Sequence, residues 1–383
     1  MKNILLFGSF SAKDWSQLKQ RQQFLVDFLK NDYSIYYVQR ISARSLSLKR
    51  TFLIILNLLI KHKPSPLPRG VIFTSLFIIP FCRKLFRRFN ALMVYHQLRI
   101  KQKKWGIDVF DIIIVSHPAD YVEDAIKAIK AKRIIYDCVQ RFKFNEYFPK
   151  DVVLIDEQLS RIADCVITDS ITIIKDKKSL TSKIYRVPQG FDLPLYKNTL
   201  NNPNSLCYDL ENIPSPRVCY IGAFHQTFDL ELVNFLSIEL QNIQFVLIGP
   251  LKKSICRHLA HSNVHLLGWK DHALLPRYMN QMDGFIIPYR ITEHGKGVFP
   301  TKLFEYLFFK KPIVVTPLPD VIEYAKYIDI AYNAEQFKGL LELRIINGIN
   351  KLSEISDTEY TDFLTANSWA ERYKTYKYII EKG

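Results

Sequence analysis

Lys302 and Glu305 form a charged pair within the otherwise apolar segment PTKLFEYLFFKKPIVVT. A spacing of three residues places both side chains on one face of a helix. Pro300 fits the first turn of that helix, where its missing N–H costs nothing. A lysine beside a helix N-terminus stabilises a diphosphate, and an acid one turn later accepts hydrogen bonds from vicinal ribose hydroxyls. The pair therefore predicts a nucleoside diphosphate site.

The alternative interpretation is an ordinary ion pair on an exposed helix, which stabilises the helix by only about 0.2 to 0.5 kcal/mol. Leu303, Phe304, Leu307 and Phe308 surround the pair, and the strand-like run PIVVT comes next. This pattern is typical of an internal helix beside a buried strand. We therefore favour the binding interpretation.

Polar residues also follow predicted strands in the first half of the chain. His117 comes after the run DIIIVS, and Asp137 lies near the end of RIIYDC. Ligands of open parallel sheets bind beyond the carboxyl ends of the strands, so both positions favour catalysis. A lone histidine is more often a structural hydrogen-bonding group, and that alternative stays open. Asp192, in the loop PQGFD, is a further candidate base or simply caps its turn.

Two glycines end strands in the second half. Gly222 follows RVCYI, and Gly249 follows QFVLI. A glycine at such a position lets a phosphate approach backbone N–H groups. Glycines also end strands for purely steric reasons, so each of them alone is weak support for a phosphate site.

The elements that must position these residues are short β-rich runs that alternate with helical periods. At 383 residues, with 48% hydrophobic and 23% charged residues, the chain exceeds what one hydrophobic core supports. We predict an α/β fold of two doubly wound, Rossmann-like domains. The predicted strands are 3–8, 34–39, 111–116, 133–138, 164–170, 183–188, 217–222, 244–249, 264–268, 284–289, 312–316 and 329–332.

The predicted domain boundaries follow from changes in composition. An N-terminal domain spans 1–195, a Pro- and Asn-rich linker 196–216, a C-terminal domain 217–350 and a helical tail 351–383. In the tail, one helical face is suited to packing back onto a domain surface. That face carries Trp369, Tyr373, Tyr376 and Ile380.

Cysteine spacing and the first residues predict a cytoplasmic protein. The six cysteines are scattered without a C-x-x-C spacing, which fits a reducing compartment. The run MKNILLFGSF resembles a first β-strand more than a signal peptide.

The net charge of +16 predicts an anionic partner. The segment 43–105 has fourteen Lys or Arg residues and no Asp or Glu, yet it also contains apolar runs. From 83 to 105 the pattern is that of a basic amphipathic helix, which either lies on an anionic membrane surface or packs its apolar residues into the N-terminal core. No nucleic-acid-binding signature accompanies the charge, so nucleic acid is not a predicted partner.

Residues 300–320 resemble the donor-binding motif of GT-B glycosyltransferases. The likeness is greatest to bacterial cell-surface polysaccharide enzymes of the glycosyl transferase group 1, or GT4-like, kind. It covers nearly the whole chain and is strongest from 217 to 320. The resemblance implies two Rossmann-like domains that face each other across a cleft, with a C-terminal helix packing back on the N-terminal domain. Other segments that agree in order are VSHP, IYDCVQRF, YRVPQGFD, YIGAFHQTFDLELV, FVLIGP and NVHLLGWK.

The resemblance also implies roles for individual residues. Glu305 would bind the donor ribose, Lys302 would bind the diphosphate, and Gly222 would line the phosphate pocket. Trp269 would lie near the base, and His117 would face the transferred sugar. The donor would be a UDP- or GDP-linked sugar, and the acceptor a glycan or a lipid-linked saccharide.

Two departures from the family pattern change how phosphate charge is neutralised. The family's E-x7-E motif has a first glutamate where this chain has Gly297, and HQTFD stands where an Arg/Lys pair is common. Neutralisation is therefore expected from Lys302, together with Arg290 or Lys296.

The predicted mechanism stabilises charge on the leaving diphosphate with protein groups, without a cofactor or a metal. The chain contains no D-x-D sequence, which disfavours a metal-dependent transferase of the GT-A kind. Retention of configuration is expected from the resemblance, while inversion would need Asp137 or Asp192 as a base. A nucleotide-sugar 2-epimerase of the same fold and a non-catalytic membrane-associated scaffold are the rival interpretations.

Overall fold

The structure is a computed structural model that describes residues 1–11, 15, 19–39, 70–78, 83–146, 148, 150–200, 207–250 and 257–383. The chain forms two compact units. Unit 1 comprises Met1–Asp169, Ile173–Val187 and Tyr373–Gly383, and unit 2 comprises Ser170–Thr172 and Pro188–Arg372. The predicted linker 196–216 thus belongs to unit 2, and its residues 201–206 lie outside the described part.

Unit 1 is built on a parallel sheet whose described strands have the order β3-β2-β1-β4-β5-β6-β7. The strands are rich in Ile, Val and Tyr, and β1, β2, β4, β5 and β6 are largely buried on both faces, as parallel strands covered by helices must be. The direction of the strand order reverses between β1 and β4. The strands are β1 Lys2–Phe7, β2 Tyr33–Val38, β3 Val71–Thr74, β4 Ile112–Val115, β5 Ile134–Asp137, β6 Cys165–Thr168 and β7 Ile184–Arg186.

Helices cover both faces of this sheet. Their bounds are α1 Arg21–Asp32, α2 Arg83–Trp105, α3 Asp120–Ala128, α4 Lys150–Ile162 and α5 Ile171–Lys177. The predicted strands of the first half are confirmed within a residue or two at each end. The edge strand β3 was missed, because residues 71–82 were read as one largely apolar run.

Unit 2 has a second parallel sheet, with its described strands in the order β10-β9-β8-β11-β12-β13. Its strand order reverses between β8 and β11. The strands are β8 Arg217–Ile221, β9 Gln244–Ile248, β10 Val264–Gly268, β11 Gly284–Ile287, β12 Ile313–Val315 and β13 Asp329–Ile330. The helices are α6 Leu193–Leu200, α7 Leu230–Glu239, α8 Leu275–Asn280, α9 Leu303–Leu307, α10 Ala334–Leu341 and α11 Asp357–Ala366.

The last helix, α12 (Trp369–Lys382), passes from unit 2 into unit 1. Its residues Tyr376 and Ile380 are buried in the same apolar cluster as Ile4 and Leu6 of β1. The hydroxyl of Tyr373 donates to Asp32, which fixes the helix further. The predicted return of a C-terminal helix to the N-terminal domain is therefore confirmed.

Candidate functional site

The predicted charged pair of unit 2 is formed and largely buried. Lys302 Nζ lies 2.8 Å from Glu305 Oε2 and 3.0 Å from Oε1, so the ammonium bridges both carboxylate oxygens. The side chain of Glu305 is 9% exposed and that of Lys302 is 20% exposed. The interpretation as an ordinary exposed ion pair is therefore wrong, since apolar side chains enclose the helix that carries Glu305.

That helix is shorter than the sequence predicts. It begins at Leu303 instead of Pro300, with Lys302 at its N-cap position. The reason is a turn in which the Leu303 N–H donates to the Pro300 carbonyl, so the first helical bond runs from Tyr306 to Lys302. A helix of about one turn has few aligned peptide dipoles, and the lysine charge therefore carries most of the local positive potential.

A third residue, Tyr196 of α6, completes the group around the carboxylate. Its hydroxyl donates to Glu305 Oε2. The ring is fully buried and packs against Phe308, with the ring centroids 5.4 Å apart. Burial, reinforced by the charge of Glu305, raises the pKa of Tyr196 well above its usual value, so the hydroxyl stays a donor. Sequence reasoning missed this residue because it lies in the predicted linker.

The predicted phosphate glycines end adjacent strands and pack tightly. A Cβ atom on Gly249 would lie 1.9 Å from the carbonyl oxygen of Gly222. The Gly222 N–H donates to Ile248, and the Gly249 N–H donates to Gly268. Backbone packing therefore already explains Gly249, whereas Gly222 lies at the end of β8, beside the point where strand order reverses.

Arg290 follows β11, on the other side of that reversal point. Its Nε lies 3.7 Å from Asp229 Oδ1, and its Nη2 lies 3.7 Å from Glu231. Its backbone N–H donates to Thr227, which belongs to the HQTFD loop. The guanidinium thus lies beside the loop in which the family's Arg/Lys pair is absent, and a cation from the neighbouring strand is available there.

The remaining predicted donor-site residues are less enclosed. Trp269 follows β10 and is 56% exposed. Lys296 forms an exposed ion pair with Glu293. Gly297, where the family motif has a glutamate, is buried in a 3-10 turn.

In unit 1, His117 and Asp137 line one cavity of about 120 Å³. Ser9 after β1 and Ser116 after β4 also line it, so the cavity lies where the strand order reverses. Ligands of doubly wound sheets bind at such points. His117 is buried, and its Nε2 lies 2.6 Å from the Tyr121 hydroxyl.

Asp137 is held in a buried ion pair with Arg21. The Nη2 of Arg21 lies 3.1 Å from Oδ1, and its Nε lies 3.3 Å from both oxygens. The same guanidinium donates to the Val187 carbonyl at 2.8 Å. Because the carboxylate already accepts these bonds, the geometry supports a structural function, and the catalytic role of Asp137 stays a prediction.

Asp192 caps the helix that carries Tyr196. Its Oδ1 accepts from the Leu195 N–H at 3.4 Å, and its carbonyl accepts from Tyr196 N–H at 3.3 Å. The capping interpretation of Asp192 is thus supported by the contacts.

The basic helix α2 is present, and its apolar residues are divided between buried and exposed positions. Val94 and Leu98 are buried, whereas three other apolar residues are exposed by half or more. These three are Phe89, Leu92 and Ile100. Packing into the N-terminal core therefore holds for Val94 and Leu98 and does not hold for Phe89, Leu92 and Ile100. Residues 43–69 and 79–82 of the basic segment lie outside the described residues.

Comparison with known proteins agrees with this architecture. Residues 215–337 match the family model described as glycosyl transferases group 1. The matched range contains Gly222, Gly249, Trp269, Arg290 and the Lys302–Glu305 pair.

One curated relative is the Bacillus subtilis (strain 168) protein TuaH, assigned as a glycosyltransferase of teichuronic acid biosynthesis. It is 26% identical over 212 residues, a match that spans 51% of this chain and 53% of the relative. The match thus covers about half the length of that relative.

Two solved structures share the fold over the whole chain. The sucrose-phosphate synthase of Thermosynechococcus elongatus aligns with a TM-score of 0.72 and 12% identity, covering 100% of this chain and 99% of its own. Anabaena Alr3699/HepE in complex with UDP and glucose aligns with a TM-score of 0.70 and 12% identity, covering 100% of both chains. The chain has the GT-B fold.

Proposed function

We propose that this protein is a glycosyltransferase that moves a sugar from a nucleoside diphosphate donor to a glycan or lipid-linked acceptor in cell-surface polysaccharide biosynthesis. The observation that carries the proposal is the buried Lys302–Glu305 pair within the range that matches the group 1 family model. Support also comes from HepE, whose structure is a complex with UDP and glucose, and from the assignment of TuaH to teichuronic acid biosynthesis.

The donor diphosphate would be held by cations of unit 2. Lys302 uses two of its three ammonium hydrogens on Glu305, which leaves one for a phosphate oxygen. Arg290 is half exposed and lies 3.7 Å from each of its two acidic neighbours, so it can turn toward a phosphate at little cost. Stabilising the charge that develops on the leaving diphosphate is the main catalytic task. We therefore propose a transfer that needs no metal and no cofactor.

The cavity of unit 1 would bind the transferred sugar or the acceptor hydroxyl. Its lining combines hydroxyl, amide and imidazole groups with the aromatic rings of Phe10, Phe142 and Phe148. Such a mixture suits a sugar, which has both polar and apolar faces. His117 would donate or accept one hydrogen bond there.

Retention of configuration is the stereochemical outcome we propose. Inversion needs a base, and the contacts of both predicted bases argue against that role. Asp137 is paired with Arg21, and Asp192 caps α6. A leaving phosphate oxygen that takes the acceptor proton would make neither carboxylate necessary.

We also propose that the protein works in the cytoplasm, with helix α2 against the anionic inner face of the plasma membrane. No described helix combines the length and the hydropathy that a membrane crossing requires. The outward side of α2 presents Phe89, Leu92 and Ile100 together with exposed Arg88, Arg99 and Lys103. Apolar side chains can enter the headgroup region, and each nearby cation contributes about 1 kcal/mol of attraction to an acidic surface.

Nucleotide binding tests the donor site. UDP and GDP should each be titrated into the protein by calorimetry. A nucleotide that binds should also raise the free energy of unfolding by ~2.7 kcal/mol at ~100 times its Kd. Glu305→Ala should weaken binding, whereas Lys302→Ala should lower turnover more than donor affinity. The matched control is the exposed pair Lys326 and Glu359, whose alanine variants should behave as wild type.

The rival functions give different results. An epimerase would convert the donor without an acceptor, and a scaffold would bind neither nucleotide. Wild-type kinetics in both the Glu305 and the Lys302 variants would contradict the proposed site.

Liposome flotation tests the membrane surface. Recovery with anionic vesicles should exceed recovery with neutral vesicles and should fall when Phe89, Leu92 and Ile100 are changed to Ser. Ile349→Ser, at an exposed position of unit 2, is the control. Equal recovery with both kinds of vesicle would count against the surface.

A further inference from the structure

Glu305 has a limited number of acceptor sites, and the contacts show which are used. A carboxylate offers about four lone-pair sites on its two oxygens. Oε2 accepts from both Lys302 and Tyr196, while Oε1 accepts from Lys302 alone. One acceptor position therefore remains, and it lies on Oε1.

Tyr196 cannot easily leave this arrangement. The ring is fully buried and lies edge-on to Phe191, Phe308 and Phe309, with centroid distances of 5.7, 5.4 and 5.9 Å. Its hydroxyl also lies 3.8 Å from the sulfur of Met279. A ring enclosed in this way is held in place by its neighbours, so the fold fixes the position of its hydroxyl oxygen.

The helix that carries the tyrosine is itself anchored. Asp192 caps the first turn of α6, and Phe191 before it belongs to the same apolar cluster as Tyr196 and Leu303. The start of α6 thus fixes the position of the Tyr196 hydroxyl, and this hydroxyl in turn contacts the Glu305 carboxylate on α9.

We propose that Tyr196 is a positioning residue that makes the donor site selective for a ribose. By occupying Oε2 together with Lys302, it turns Oε1 toward the nucleotide as the single acceptor for a ribose hydroxyl. This inference rests on the proposed function, in which Glu305 binds the donor ribose. Without the tyrosine bond only Lys302 holds the carboxylate, whose terminal torsion is broad, and the direction of Oε1 toward a ribose hydroxyl is less well defined.

Deoxynucleotides separate positioning from general stability. The affinities of the wild type for UDP, 2′-deoxy-UDP and 3′-deoxy-UDP should be measured by calorimetry, with the guanine series if GDP is the nucleotide that binds. A hydrogen bond to a charged acceptor predicts a preference for the ribonucleotide over at least one deoxy analogue on the order of 10- to 100-fold. In Tyr196→Phe this preference should fall below about 3-fold, because affinity for UDP decreases while affinity for the deoxy analogue does not.

A merely structural role gives another pattern, in which all the nucleotides lose affinity by the same factor. Tyr373→Phe is the matched control, since it removes a tyrosine–carboxylate bond, to Asp32, in unit 1. It should leave the ribose preference unchanged. An unchanged ribose preference in Tyr196→Phe would overturn the inference about Tyr196. A wild type that binds UDP without any ribose preference would overturn it too. Both results leave the proposed function standing. A wild type that binds neither UDP nor GDP would overturn both.

Folding of the variant is controlled by a double substitution. Removing the tyrosine hydroxyl alone leaves a buried carboxylate with fewer partners, which destabilises the fold. Glu305→Gln with Tyr196→Phe removes that charge, so the double variant should unfold at a higher temperature than Tyr196→Phe alone. The ribose preference of the double variant should equal that of Glu305→Gln alone. Strictly additive effects on both measurements would contradict a coupling between the two side chains.

Discussion

Replacing Asp137 by Ala should destabilise unit 1 strongly, because the change breaks a buried ion pair. The side chains of Arg21 and Asp137 are each 6% exposed. Without the carboxylate, the guanidinium of Arg21 keeps the hydrogen bond from Nη1 to the Val187 carbonyl but loses its ion-pair partner. Removing one partner of a buried ion pair costs about 3–5 kcal/mol. For a unit of this size, each kcal/mol shifts the Tm by about 2–4 °C, so a decrease of about 6–20 °C is expected.

Thermal unfolding followed by circular dichroism measures this shift. A double variant, Arg21→Met with Asp137→Leu, should recover most of the loss, since an apolar pair of similar volume replaces both charges. Turnover of Asp137→Asn should be compared with the wild type at a temperature where both are folded. If Asp137 is structural, turnover should stay within about 10-fold, whereas loss of a general base costs about 10² to 10⁴-fold. A wild-type Tm combined with a loss of that size would refute the reasoning and make Asp137 the base.

Buried or tightly packed groups elsewhere give three more expected outcomes. Burial raises the pKa of Cys138 to about 12, so its thiol should resist alkylation at pH 8 until the protein is unfolded, as mass spectrometry would detect. Gly249→Ala should cost about 1–3 kcal/mol in chemical denaturation, because its Cβ would clash with the Gly222 carbonyl, and an unchanged midpoint would show that the strand ends can separate. A hydrogen bond from Lys132 lowers the pKa of Asp111 below its usual 3.8. Its stabilisation is therefore present above pH 4 and lost as the pH falls through the lower folded value, so Asp111→Asn should lower the Tm at pH 7, and this difference should shrink as the pH is lowered below 4.

The fold was largely predictable, because parallel strands that are buried on both faces have sequences that are short apolar runs. Each predicted strand of unit 2 coincides with an observed one, and Gly222, Gly249 and Gly268 mark the ends of three of them. Within the largely apolar run 71–82, the pair Thr74-Ser75 marks the end of β3, and this weak signal was not used. An edge strand has only one neighbour, and its sequence is correspondingly less constrained.

The candidate site was only partly predictable. The Lys302–Glu305 pair follows from helical spacing, which is local information. Tyr196 reaches Glu305 across a long stretch of sequence and lies in a segment without a sustained hydrophobic period, so the sequence alone did not indicate the contact. The start of its helix did leave a signal, since Asp192 is followed by Pro194, a pattern typical of a helix N-terminus. The sequence did not indicate the partner of Asp137 either, because Arg21 lies in helix α1, far from Asp137 along the chain.

The shared membership of α12 has a consequence for how the chain matures on the ribosome. Residues 373–383 complete the apolar cluster that covers one face of the first sheet, yet they are synthesised after all of unit 2. The side chains around Ile4 and Leu6 therefore stay incompletely covered while some 180 further residues are synthesised. At typical rates of synthesis this takes on the order of 10–40 s. A chain that ended before Tyr373 would keep the cover supplied by Leu25, Val26 and Leu29 of α1 but would never gain the part supplied by α12.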